Sequence, residues 1–193
     1  MSQSTFALDI SRFVEKAKGN METVVKKVAI DMLAGVVVRS PVGNPELWAI
    51  NKIASNYNLE VSNYNAALRD NPENLTKAGR LKRGKKIHDS MDLYAPPGYV
   101  GGRFRANWQV TFNAPAAGEI DGIDPQGSET IARGTAVLNA FNSEMAKIWF
   151  MNNLPYGYPL EFEGHSSQAP GGMVRITVTE FQAFVNEAVN TLP

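Results

Sequence analysis

The sequence predicts an α+β fold, with N-terminal helices and a C-terminal helix packed on a small, mainly antiparallel β-sheet and a long insertion or arm between them. Three patterns carry this. Residues 9–38 place apolar side chains at helical spacings. Phe104, Ala106, Trp108, Val110 and Phe112 alternate with Arg105, Asn107, Gln109 and Thr111, as on a half-buried strand. Val174, Val178, Phe181, Val185 and Ala188 return to a helical stripe near the end.

In chain order, Asp9 is placed to cap a first helix whose apolar side holds Phe13, Val14 and Ala17. Gly19-Asn20 reads as its stop. A second helix, Met21 to Val38, carries Val24, Val25, Val28, Met32 and Val36, and Ser40-Pro41 ends it. Residues 43–99 change character, being rich in Asn, Tyr, Lys and Arg and poor in aliphatic periodicity. They are expected to form an insertion or extended arm within a single domain spanning 1–193. Within them, Glu46 to Ile53 suits a short helix after Pro45, and Tyr57, Leu59, Val61 and Tyr64 alternate as in a short strand or arm. After the strand at 104–112 comes a Gly/Pro/Asp-rich loop, 114–129, then a helix or strand at 130–141. Ala146 to Met151 reads as a buried strand and Tyr156 to Phe162 as a further one. Pro170-Gly171-Gly172 then opens the last helix.

The chain has 193 residues, enough for a core without disulfides or metals. It has no cysteine, so thiol nucleophiles and thiolate metal sites are excluded. The 19 basic and 19 acidic side chains cancel, so a role that depends on phosphate contacts would have to be local. Met1 to Leu8 lacks the basic and apolar regions of a secretory signal. The longest apolar stretch, Ala29 to Val38, is interrupted by Asp31 and Gly35, so no membrane span and no membrane partner are expected.

Few residues suggest chemistry. Lys77, Arg80, Lys82, Arg83, Lys85 and Lys86 form a basic cluster, read as a solvated arm that could touch DNA at the genome's end or an acidic partner. Gly79-x4-Gly84-Lys85-Lys86 resembles a phosphate-binding loop but lacks the final Ser/Thr and any preceding apolar strand. Glu161, Glu163 and His165 are a weak metal-ligand set, and His88 has no partner at ligand spacing. Asp121, Asp124 and Glu129 do not match calcium-loop spacing and read as a solvated turn. No serine-nucleophile elbow is present. Neither an enzymatic activity nor a cofactor or metal is expected. Trp108 and Trp149 read as core residues, and Trp48 as an anchor at a contact.

Two segments are more specific. One is Ser40-Pro41-Val42, continued after the insertion by Gly102-Arg103-Phe104-Arg105-Ala106-Asn107-Trp108. The other runs from Ile148-Trp149-Phe150-Met151-Asn152-Asn153 through Tyr156-Gly157-Tyr158-Pro159-Leu160-Glu161-Phe162-Glu163-Gly164-His165-Ser166 to Gln168-Ala169-Pro170-Gly171-Gly172-Met173-Val174. Together they resemble the HK97 gp10-like family of tailed-phage tail-completion or neck proteins. The resemblance is weak over 9–42, moderate over 100–113 and good over 147–185. The chain departs from the family pattern in the 43–99 stretch and in Asn107, where Ser is common.

The resemblance implies a structural virion protein of a tailed bacteriophage, made in the host cytoplasm and built into the neck or upper tail. It implies a ring of about six copies that joins tail to capsid connector and touches connector, tail-terminator or tail-tube proteins. A tail terminator or minor tail protein is the nearest alternative. A DNA-binding packaging accessory using the basic cluster belongs to another class, and a metal-dependent hydrolase at Glu161 and His165 to a third. The turn over 156–173, with Tyr156, Tyr158, Glu161, Glu163, His165, Gln168 and Met173, is expected to build a subunit interface, with Trp48 as a further contact.

Overall fold

Helical spacing at the start of the chain becomes one helix rather than two. The computed structural model describes residues 3–192, and their side chains from residue 10 onward. Its helices are α1 (Gln3–Arg39), α2 (Lys52–Ala67), α3 (Arg103–Ala106), α4 (Ser128–Asn139), α5 (Gly157–Phe162), α6 (Val174–Thr179) and α7 (Phe181–Asn190). Its strands are β1 (Gln109–Phe112) and β2 (Ile148–Met151). The chain falls into two compact units, residues 1–42 with 100–193, and residues 43–99.

In the first unit, Gly19-Asn20 does not stop α1. A helix-interior glycine costs only about 1 kcal/mol, and the Thr23 hydroxyl donates to the Gly19 carbonyl at 2.9 Å. Asp9 therefore lies inside the helix rather than at a cap, and its side chain lies outside the described residues, as do Met1 and Ser2. Residues 10–19 are all exposed, and burial begins around Val28 and Ala29. From there Leu33, Val36 and Val37 enter the core, where α1 packs on α4, α6 and α7. The helix ends where Ser40-Pro41 predicts. The Ser40 hydroxyl donates to the Val36 carbonyl and accepts from the Trp108 indole N–H, both at 2.7 Å. No described helix is long and apolar enough to cross a membrane.

The sheet is two antiparallel strands in the register Gln109↔Met151, Val110↔Phe150, Thr111↔Trp149 and Phe112↔Ile148. Of the apolar side of the alternation, Phe104, Ala106, Trp108 and Val110 are buried and Phe112 half-buried, but Asn107, placed on the opposite side, is fully buried as well. The backbone differs, because Arg103–Ala106 is a helical turn and the strand starts at Gln109. Trp108 is buried, whereas Trp149 is only half-buried. The stretch expected as a helix or strand over 130–141 is helical up to Asn139, as part of α4.

Helix α4 crosses α1 closely at Gly134. A Cβ there would stand 2.3 Å from Leu33 Cδ2 and 3.0 Å from Val110 Cγ2. Gly134→Val is expected to destabilise this unit by about 2 kcal/mol through overpacking, read as a lower denaturation midpoint.

Two readings near the C-terminus are corrected. Tyr156–Phe162 is not a strand, since Gly157–Phe162 is helix α5. Pro159 falls in its first turn, where a missing N–H costs nothing, whereas in a strand it would remove a ladder donor. The last helix is not one stripe from Pro170. It starts at Val174 and breaks at Glu180 into α6 and α7. The break rotates the buried side to Thr177 and Ala188, leaving Val174, Val178 and Phe181 exposed and Val185 half-buried. Arg39 fixes the break, donating from Nη2 to both Glu180 carboxylate oxygens at 2.6 and 2.7 Å and from Nη1 to the Thr177 hydroxyl at 3.2 Å.

The second unit is held differently. Among its described residues Ala54 is the one buried hydrophobic side chain, while Asn51, Asn65 and Asn74 are buried. Tyr57, Leu59, Val61 and Tyr64 lie on helix α2, so their alternation does not mark a strand. Glu46 to Ile53 forms two short 3-10 turns, Pro45–Leu47 and Ala49–Asn51, and then enters α2. Asn51, Asn58 and Asn65 recur every seventh residue and so share one side of the helix. Each grips the backbone of an extended segment with both amide groups. Asn51 pairs with Tyr94 at 2.8 and 2.8 Å, Asn58 with Met91 at 2.9 and 2.8 Å, and Asn65 with Ile87 at 2.9 and 2.9 Å. The segment runs antiparallel to the helix, and these amides supply the pairing that a neighbouring strand would otherwise give.

Candidate interaction surfaces

The residues that carry the resemblance converge on one bracket in the first unit. The Gln168 amide donates to the Val42 carbonyl at 2.7 Å and accepts from the Val42 N–H at 3.2 Å. Arg105 donates to the carbonyls of Ser40, Val38 and Pro125. Asn107, fully buried, donates to the Arg103 and Ile120 carbonyls and accepts from the Ile120 N–H. Asn152 donates to the Phe104 carbonyl at 2.8 Å, and Asn153 to those of Ala116 and Gly118. Each side-chain amide or guanidinium satisfies backbone groups that the loops leave unpaired.

Glu161 does the same with a charge. It is buried, and its carboxylate accepts the N–H groups of Met173, Val174 and Arg175 at 2.7, 3.0 and 2.9 Å. These are free donors at the start of α6. Arg175 adds an ion pair at 3.4 Å and a hydrogen bond to the Glu161 carbonyl. Burial pushes the Glu161 pKa up, but the three backbone donors and Arg175 outweigh it and hold it below the ordinary glutamate value. Gly172 has a positive φ of 80°, and a Cβ there would lie 2.5 Å from Glu161 Oε1. Glu161 and Met173, expected at a subunit interface, are therefore internal, Met173 being 1% exposed. Among the described residues no group of three or more His, Asp or Glu is placed to hold a metal ion.

Asp124 follows the same pattern, contrary to the expected solvated turn. It is buried and accepts from the Gly127 N–H, the Thr130 N–H and the Thr130 hydroxyl, all at 2.8 Å. Burial raises its pKa, and these donors bring it below the ordinary aspartate value. Asp121 and Glu129 are exposed.

What remains exposed on the 156–173 corner is aromatic. Tyr158 is 65% and Phe162 55% exposed, their ring centroids 4.9 Å apart, and the Arg175 guanidinium lies 5.3 Å from the Phe162 centroid. Tyr156, 39% exposed, also rests one side of its ring on Phe104, with centroids 5.7 Å apart. Glu163 and His165 are exposed beside this patch. Phe162 and Arg175 escaped the sequence reading because their pairing needs the helical turn of α5.

A second apolar surface lies on α1. Ile10, Val14, Ala17, Met21, Val24 and Val28 are spaced alternately by four and three residues, the heptad seam of a helix that packs on another helix. Ile10, Val14 and Met21 are exposed, and the seam runs into the core at Val28. Phe13, 71% exposed, flanks it. The seam was legible in the sequence, but the expected break at Gly19-Asn20 cut it in two.

In the second unit Trp48 is half-buried and meets Tyr99 edge to face at 5.1 Å, so it anchors its own unit. The basic cluster is a tight hairpin. Leu75 bridges Leu81, the Thr76 N–H donates to the Arg80 carbonyl and the Lys82 N–H to the Asn74 carbonyl, both at 2.8 Å. The Gly79–Gly84 segment thus lies in a hairpin, not between a strand and a helix as a nucleotide loop requires. Its cations surround an open basin of about 410 Å³. Comparison of the chain with protein-family models, with curated proteins and with solved structures found no match.

Proposed function

We propose that this chain is a structural protein of a tailed-phage virion, closing into a ring in the neck or upper tail that joins the tail to the capsid connector. The observation that carries this reading is the heptad seam on the exposed stretch of α1. Residues 10–21 extend roughly 18 Å of helix at 1.5 Å per residue, and the stretch keeps Ile10, Val14 and Met21 in water. Such a seam is relieved by a matching helix or apolar face on a second copy. The Tyr158–Phe162–Arg175 patch is a second, different surface of the same unit, rich in the residue types that anchor protein contacts. Two unlike surfaces per subunit are what a head-to-tail ring needs. The resemblance over 147–185 supplies the virion context, and the side-chain clamps on backbone suit a subunit that must hold its shape.

Native mass spectrometry of the purified chain and cryo-EM of particles test this reading. A closed oligomer is expected, present at the head–tail junction. Ile10→Glu with Val14→Glu exposes nothing new in the subunit, so its circular dichroism and melting should match the parent. Each residue contributes roughly 1.5 kcal/mol at a buried seam, so self-association is expected to weaken about a hundredfold. A parent chain that stays monomeric at high concentration and is missing from particles overturns the proposal.

A further inference from the structure

We infer that the basic hairpin of the 43–99 unit is a binding site for the phosphodiester backbone of nucleic acid, an activity separate from the ring contacts proposed above. The basin of about 410 Å³ is lined by Arg69, Arg80, Lys82, Arg83, Lys86 and His88, and no Asp or Glu lines it. Residues 74–88 hold six cations and no acid, although the whole chain is neutral. Among the described residues none of these cations forms an ion pair. Asp89, the nearest acid in sequence after the cluster, accepts a hydrogen bond from the Tyr57 hydroxyl. Among the described residues Asp70 and Glu73, which precede the cluster, form no ion pair with it either, and concentrated positive charge without a paired counterion is a standing cost that an anionic ligand removes.

The arrangement favours phosphate over other anions. Three of the lining residues, Arg69, Arg80 and Arg83, are arginines from two stretches of chain on an open concave surface, and the forked donors of a guanidinium match phosphate oxygens. The scaffold beneath them is fixed. The hairpin closes on its own backbone bonds, the Asn74 amide donates to the Leu68 carbonyl at 2.9 Å, and Asn65 clamps Ile87 just past the last lysine. A cation cluster held in place loses little freedom on binding. No Phe, Tyr or Trp lines the basin, so there is no stacking platform for successive bases and binding is expected to be indifferent to sequence. Each phosphate neutralised releases counterions, which makes the affinity fall steeply with salt.

Fluorescence anisotropy with a labelled mixed-sequence DNA duplex, titrated with the full chain from low to physiological salt, tests this. Binding is expected, with a log–log salt slope of about −3 to −4. The triple change Arg80→Gln, Arg83→Gln and Lys86→Gln should weaken low-salt binding about a hundredfold and flatten the slope by about 2 to 3. A control of equal charge loss elsewhere, Lys16→Gln, Lys52→Gln and Lys147→Gln, should change the slope by less than about 1. Circular dichroism of both triples must match the parent, and if the hairpin triple unfolds, charge-preserving Arg80→Lys and Arg83→Lys replaces it, with an expected loss of about tenfold. Three results overturn the inference: no binding at low salt, equal loss in the control, or equal competition by polyglutamate, which assigns the basin to an acidic protein instead.

Discussion

Replacing Glu161 by Ala is expected to cost about 3 kcal/mol of unfolding free energy, read by chemical denaturation. The change leaves the N–H groups of Met173, Val174 and Arg175 at the start of α6 without an acceptor, and Met173 and its N–H are buried. An unmet buried donor costs about 1–3 kcal/mol, and loss of a helix cap about 1. Glu161→Gln keeps one acceptor oxygen and should cost about half as much. The two variants also separate charge from shape. Glu161 and Asp124 have depressed pKa values in the folded protein, burial being outweighed by their hydrogen-bond donors. A depressed carboxyl contributes stability in full above its unfolded value and loses it as pH falls through the folded one. The parent should therefore lose stability progressively below about pH 4, and Glu161→Gln should lose less over that range. Equal midpoints for parent and Glu161→Ala at neutral pH would show that these contacts contribute nothing.

Glu161 also shows where sequence reasoning reaches its limit. Leu160 and Phe162 flanking Glu161 and Glu163 look like one face of a strand, and that pattern puts Glu161 in water. Its partners are backbone groups 12 to 14 positions downstream, which carry no side-chain signature. Asp124 is misread for the same reason. Elements whose apolar side meets a core were legible: the inner part of α1, its end at Ser40-Pro41, and the strand character of 109–112 and 148–151. Elements held by polar groups on backbone were not. Residues 57–64 lie on a helix whose inward side carries Ala54, half-buried Asn58 and Asn65, so a pattern tuned to apolar side chains finds the wrong period. The seven-residue recurrence of Asn51, Asn58 and Asn65 was on the page all along, and only polar periodicity would have found it. Of the expected interface residues, Tyr156, Tyr158, Glu163, His165 and Gln168 are exposed, while Glu161 and Met173 are internal because α5 turns where a strand would run on.

That asparagine ladder gives the other large expected effect. Asn65→Ala removes two hydrogen bonds to Ile87 from a side chain only 6% exposed. Asn58→Ala removes two equally short ones to Met91 at the surface. Water can replace the second pair and not the first, so the costs should differ: about 2–3 kcal/mol for Asn65 and about 1 for Asn58. Amide hydrogen exchange reads this residue by residue. In Asn65→Ala the Ile87 N–H should exchange about a hundredfold faster, while in Asn58→Ala a smaller gain should centre on Met91. Equal gains would mean that the extended segment opens as one piece and the individual clamps do not matter. The consequence reaches the basic basin, because Ile87 lies between Lys86 and His88, two of its lining residues. Freeing Ile87 lets both swing away from Arg80 and Arg83. A unit with one buried hydrophobic side chain has no core to hold them back, so in this part of the chain the amides must do what apolar packing does in the rest.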